Sequence, residues 1–149
     1  MKKIILIIVG LALGVPLIVG ARIGVGVGTG KIYVNEKLRA GVIYDLPPFT
    51  VLNTGDELGN YGASVEYNEV QPQLKPASEW FSFEPSNFTL GPGQVQIVQV
   101  RLSLPVKDVK PGDYFVYLEG HPIKKSVSGE TSIGVAAAAK LYFTVAPAN

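Results

Sequence analysis

The sequence predicts an all-β protein, an antiparallel β-sandwich of seven or eight short strands preceded by an N-terminal hydrophobic helix. Three observations predict it. From Arg22 onward, Gly and Pro recur at short intervals. The stretches between them alternate in polarity or are rich in β-branched and aromatic residues. No segment carries the 3.6-residue apolar stripe of a surface helix. At 149 residues the chain accommodates one such domain plus a leader. A domain of this size buries roughly two thirds of the surface its unfolded chain exposes, so it folds without disulfide or metal.

The leader comes first. Met1-Lys2-Lys3 is a short positive segment, Ile4 to Gly20 is almost wholly apolar, and Val19-Gly20-Ala21 puts small or apolar residues where a signal peptidase reads. The expected domains are residues 1–21, a signal peptide cleaved after Ala21 or an uncleaved signal anchor, and residues 22–149, the sandwich. Either fate of the leader places the sandwich outside the cytoplasm, because the positive residues stay inside. Any contact with a membrane is then through residues 4–21 alone, if they are retained.

The strands follow in order. Ile23, Val25 and Val27 alternate with Gly24, Gly26 and Gly28, and the run continues to Val34, with a break near Gly28-Thr29-Gly30. The side-chain-free glycine face admits close approach of another backbone. A second strand covers Val42 to Asn53, and Pro47 and Pro48, which donate no ladder hydrogen bond, put it at an edge or a bend. Asn53-Thr54-Gly55-Asp56 is a turn. A third strand runs from Tyr61 to Tyr67. Trp80–Phe83 and Phe88–Leu90 are very short strands, and Gly91-Pro92-Gly93 turns the chain. Val98, Val100, Leu102 and Leu104 then form the clearest inward face, with Val95 and Ile97 out of phase, so a β-bulge is expected near Ile97. Tyr114, Val116 and Leu118 point inward on the next strand. A loop spans His121 to Thr131. The last strand covers Ile133 to Val145, where the flanking residues favour strand over helix for the four alanines at 136–139.

Composition narrows the function. The net charge is +1, and without Lys2 and Lys3 there remain 11 basic against 12 acidic residues. A near-neutral domain has no electrostatic footprint for nucleic acid. No cysteine is present, which excludes disulfides, thiolate metal sites, cysteine nucleophiles and a lipidated cysteine. One histidine, His121, argues against zinc. No Gly-x-Ser-x-Gly elbow accompanies it, and it is expected to be an ordinary loop residue. The glycines at 24, 26, 28 and 30 do not form a nucleotide-binding Gly-x-Gly-x-x-Gly. Asn53, Asp56, Glu57 and Asn60 cluster in one turn without the spacing of a calcium loop. Asn87-Phe88-Thr89 matches a glycosylation sequon at a tight bend. No cofactor, no metal and no enzymatic activity are expected.

The stretch from Phe49 to Tyr114 carries a family pattern: Phe49-Thr-Val-Leu-Asn-Thr-Gly55, then Trp80-Phe81-x-Phe83-x-Pro85-x-x-Phe88-x-Leu90-x-Pro92-Gly93, then Val98-x-Val100-x-Leu102-x-x-Pro105, then Lys110-Pro111-Gly112-x-Tyr114. It resembles immunoglobulin-like domains of bacterial surface proteins. It is similar to the N-terminal domain of WxL-interacting proteins and, more distantly, to PapD-like and major-sperm-protein-like sandwiches. The resemblance implies an immunoglobulin-like fold and a role at the cell wall or with a surface protein. The second domain and C-terminal membrane helix typical of WxL-interacting proteins are not read in these residues. Nor is the basic pair with which PapD-like pilus chaperones hold a subunit's terminal carboxylate. Tyr114, just after Pro111-Gly112, stands where a tyrosine corner would be, its hydroxyl bonding back to the preceding loop.

Two surfaces are candidates for contact. If Tyr114, Val116 and Leu118 face inward, Phe115 and Tyr117 face outward, and Tyr142 joins them from the last strand. These three either form one exposed aromatic patch or are covered by the first segment or neighbouring loops. The second surface is the loop with His121, Lys124 and Lys125, either a partner site or a solvated basic loop. The expected function is an extracytoplasmic binding module that contacts a surface protein or a cell-wall polymer. The alternative is a self-assembling subunit of a surface fibre or layer, in which Arg22 to Val34 donates a strand to a neighbour.

Overall fold

A computed structural model describes residues 22–123 and 135–148. Residues 1–21, expected from the sequence to be a leader, lie outside the described residues, as do Lys124 and Lys125. The described residues form nine strands: β1 (Gly26–Val27), β2 (Lys31–Leu38), β3 (Ile43–Leu52), β4 (Gly59–Glu66), β5 (Phe81–Glu84), β6 (Asn87–Leu90), β7 (Val95–Ser103), β8 (Gly112–Pro122) and β9 (Ala137–Val145). A single 3₁₀ turn at Ser78–Trp80 precedes β5. The alanine run is strand from Ala137 onward. Its neighbour β8 supplies nine consecutive register partners, from Gly112 opposite Val145 to Gly120 opposite Ala137.

Two sheets face each other. One has four strands in the order β1-β3-β7-β5, the other five in the order β2-β9-β8-β4-β6. Strand alternation sends one side chain in two to the space between them. That space is filled by Phe49, Val51, Val98, Val100 and Leu102 from the first sheet. Tyr61, Tyr114, Val116, Leu118, Leu141 and Phe143 fill it from the second, all at most 3% exposed. Tyr114 stacks on Phe143 at 5.0 Å and meets Trp80 at 5.9 Å. Its hydroxyl donates to the Lys110 carbonyl at 2.7 Å, the bond expected of a tyrosine corner.

Three features differ from expectation, each for a local reason. First, β7 runs without a bulge. The extra residue sits in β3, where Leu46 pairs with Val100 but Phe49 pairs with Val98. Pro47 and Pro48 occupy the irregularity, so no ladder donor is lost there, and the inward parity of β3 switches from Leu46 to Phe49. Val95 and Ile97 accordingly stay on the outer face, 54% and 55% exposed. Second, the sandwich is not purely antiparallel. β1 and β2 are one extended segment that crosses from one sheet to the other at residues 28–30, and β2 meets β9 in parallel. Third, β8 continues through His121 and Pro122, so His121 is a strand residue and not a loop residue.

The glycine face of the first segment does what its lack of side chains permits. A Cβ at Gly24 would collide with the Thr54 hydroxyl and the Gly55 backbone, and one at Gly28 with the Thr50 hydroxyl. The segment therefore lies directly against the end of β3.

Candidate interaction face

The outer side of the five-stranded sheet brings together residues far apart in sequence. The parallel register sets Tyr33 opposite Tyr142, and the antiparallel register sets Tyr142 opposite Phe115. The next row is Lys31, Lys140, Tyr117 and Glu66. Cross-strand neighbours on one face touch, and here they form a ladder of rings. Tyr33 stacks on Tyr142 at 5.0 Å and 13°. Phe115 lies 4.9 Å from Tyr142 at 31°, and 4.9 Å from Tyr117 at 75°, an edge-to-face pair.

Phe115, Tyr117 and Tyr142 are thus adjacent, as the alternation of β8 and β9 implies, but they are not equally open. Phe115 is only 5% exposed, so of the two alternatives for this ring, exposed or covered, it is covered. It is flanked by two rings, and its backbone is tied to the crossing between β4 and β5. Its N–H donates to the Leu74 carbonyl at 3.1 Å, and its carbonyl accepts from Gln71 Nε2 at 3.0 Å. Tyr117 and Tyr142 are half-buried. The most accessible ring is Tyr33, 56% exposed at the edge of the sheet. Sequence reasoning missed it as a site residue. Its outward phase is readable from the buried Ile32 beside it, but its parallel partner on β9 is more than a hundred residues away.

Below the ladder the face turns polar. His121 Nδ1 lies 3.4 Å from Ser64 Oγ and 3.7 Å from Glu119 Oε1. Burial pushes the Glu119 carboxyl above its ordinary value, Glu66 adds to this, and His121 opposes it. Serine and carboxylate compete for the same ring nitrogen. A Ser-His-acid relay needs one at each nitrogen, so this arrangement does not build a triad.

The turn after β3 uses its polar atoms internally. Asn53 is fully buried, and its Nδ2 donates to the carbonyls of Glu57 and Leu90, each at 2.9 Å. Asp56 accepts from the Arg22 N–H, and Asn60 from the Thr89 hydroxyl at 2.8 Å. No cluster of three or more metal-ligating His, Cys, Asp or Glu side chains occurs among the described residues. No helix among them is long and apolar enough to cross a membrane. The segment from Arg22 to Val34 pairs within its own sandwich, β1 on β3 and β2 on β9.

No protein-family model and no curated protein sequence matches the chain. Solved structures do match it in fold. A PapD-like (ASH) domain of human CEP192 superposes with a TM-score of 0.56 at 15% identity, covering 84% of this chain and 87% of that domain. The E. coli chaperone DraB gives 0.55 at 16% identity, covering 83% of this chain and 56% of its own. A chain of the Salmonella enterica SafA pilin–SafB chaperone complex gives 0.52 at 15% identity, over 82% and 54%. The present chain spans little more than half the length of these last two. The fold is therefore a PapD-like immunoglobulin-like sandwich, which confirms that part of the resemblance seen in the sequence.

Proposed function

We propose that the protein is an exported binding module whose contact face is the aromatic ladder of Tyr33, Tyr142, Phe115 and Tyr117. Its partner is a surface protein or a cell-wall polymer. One observation carries this reading: four aromatic rings from three strands are gathered on the outer side of a sheet, away from the interior between the two sheets, with Tyr33 56% exposed at one end. The three tyrosines of the ladder present apolar area with a hydroxyl at the tip, the composition favoured where proteins meet partners. The export leader, residues 1–21, supports an extracytoplasmic location. The fold neighbours described as a chaperone and as a pilin–chaperone complex support a protein partner. None of the three is described as an enzyme, and the Ser64–His121–Glu119 geometry supports a non-catalytic role.

The test is a binding isotherm of the protein against two immobilised fractions, purified cell-wall polysaccharide and solubilised envelope proteins. The double variant Tyr33→Ser/Tyr142→Ser, which removes the most exposed ring and the one it stacks on, is expected to lose at least about tenfold in affinity for one of them. Unchanged affinity for both removes the ladder as the contact face. The rival reading, a strand-donating fibre subunit, requires Arg22–Val34 to leave the sheets in which it is paired. Such a subunit is expected to polymerise in solution, whereas a binding module is expected to run as a monomer, which light scattering distinguishes.

A further inference from the structure

The first segment ends in a polar cradle that the aromatic face does not use. The Arg22 backbone N–H donates to Asp56 Oδ1 at 2.7 Å, and the Arg22 carbonyl accepts from the Asp56 N–H at 3.1 Å. One residue pair further on, the Gly24 carbonyl accepts from the Thr54 N–H at 3.3 Å and from the Tyr61 hydroxyl at 3.1 Å. The turn that presents Asp56 is held from inside by the fully buried Asn53, whose Oδ1 also accepts the Gly55 N–H at 2.9 Å. There is no slack, because a Cβ at Gly55 would collide with the Arg22 carbonyl. The backbone nitrogen of Arg22 is therefore fixed beside a carboxylate.

That nitrogen is also the one a signal peptidase would free. Val19-Gly20-Ala21 meets the small-residue requirement immediately before it. Hydrolysis of the Ala21–Arg22 bond adds one water, leaving a carboxylate on Ala21 and an amine on Arg22. With a pKa of about 8, the amine takes a proton at neutral pH. We propose that Asp56 is the receptor for the mature N-terminus. Cleavage converts the Arg22 amide N–H into an ammonium donor at the same position. A neutral hydrogen bond becomes a charge-assisted one with no movement of the backbone. The gain falls where it is needed. β1 holds the end of β3 through only two register pairs, Gly26 with Leu52 and Val27 with Val51. An anchored N-terminus keeps so short an edge strand in place, and maturation itself tightens the fold.

This inference rests on the reading of residues 1–21 as a cleaved leader and is independent of the aromatic face. Its first test is the mass of the protein recovered from the cell envelope or medium, which is expected to begin at Arg22. A chain beginning at any other residue overturns the proposal by removing the ammonium from the cradle. The second test isolates the cradle. Amide hydrogen exchange at Thr54 and Asp56 is compared between the protein beginning at Arg22 and the same protein extended by one N-terminal glycine, in wild type and in Asp56→Asn. In wild type the extension is expected to speed exchange by about two- to fivefold, the range of an exposed ion pair. In Asp56→Asn it is expected to change nothing. No acceleration in wild type, or equal acceleration in both backgrounds, overturns the proposal even where cleavage at Ala21 is confirmed.

Discussion

The two outer faces of the sandwich rest on the same core but are built from different materials. The four-stranded sheet shows a few exposed aliphatic side chains, Val95 and Ile97 two residues apart on β7 and Ile43 on β3, and an exposed ion pair, Arg101 Nε to Asp45 Oδ1 at 2.9 Å. The five-stranded sheet shows four aromatic rings in continuous contact, then a half-buried polar group around Glu119 and His121. A few aliphatic side chains and a surface ion pair are what any folded chain leaves in water. A ladder of rings assembled from β2, β9 and β8 requires three strands in register, and it has no counterpart on the other side. The contrast is one of surface chemistry, because both sheets contribute fully buried aliphatic side chains to one interior.

The largest predicted effects probe that shared interior. Leu102→Ala and Leu118→Ala each remove a fully buried side chain, one from beneath each face. Each is expected to cost about 3 kcal/mol in urea unfolding, within the usual 2–5 kcal/mol range. Losses differing by more than about 2 kcal/mol would show that the faces do not rest on equivalent packing. Next in size is Tyr114→Phe, which deletes the bond to the Lys110 carbonyl and should cost about 1 kcal/mol.

Effects of comparable or smaller size separate the faces themselves. Tyr142→Ser breaks two ring contacts and should cost about 1–2 kcal/mol. Ile97→Ser, on the opposite face, should stay within about 0.5 kcal/mol. The reverse order, measured by thermal unfolding, would mean that the ladder is not a packed unit.

The smallest effect depends on pH. The folded Glu119 carboxyl titrates above its unfolded value, so the folded state holds its proton more tightly, and stability falls as pH rises through that window. Glu119→Gln removes the cost. It should match wild type below the ordinary carboxylate range and exceed it at neutral pH by no more than about 2 °C in Tm. A variant less stable than wild type at neutral pH would show that the His121 contact outweighs burial and the Glu66 charge.

Much of this architecture is legible along each strand and little of it between strands. The period-two run Val98 to Leu104 and the inward set Tyr114, Val116 and Leu118 are local patterns, and the structure buries them all. Tyr114 was also legible as a corner, because its partner is four residues away. The bulge lies in β3 and not near Ile97, where the apolar Val95 and Ile97 suggest it. Their outward phase emerges only once β3 is aligned beside β7 and Pro47-Pro48 absorbs the extra residue. The aromatic face was half legible for the same reason. Phe115, Tyr117 and Tyr142 follow from alternation on two strands, but Tyr33 joins them only through a parallel pairing between the two ends of the domain. Local alternation likewise does not reveal that Phe115 is covered by its neighbours.

The central claim is that contact is made through the aromatic side of the five-stranded sheet. It is tested most directly by mapping backbone amide shifts of the isotopically labelled protein as envelope extract is added. The account predicts perturbations at Tyr33, Phe115, Tyr117 and Tyr142, with the opposite face silent. Perturbations centred on Val95, Ile97 and Arg101 would contradict it.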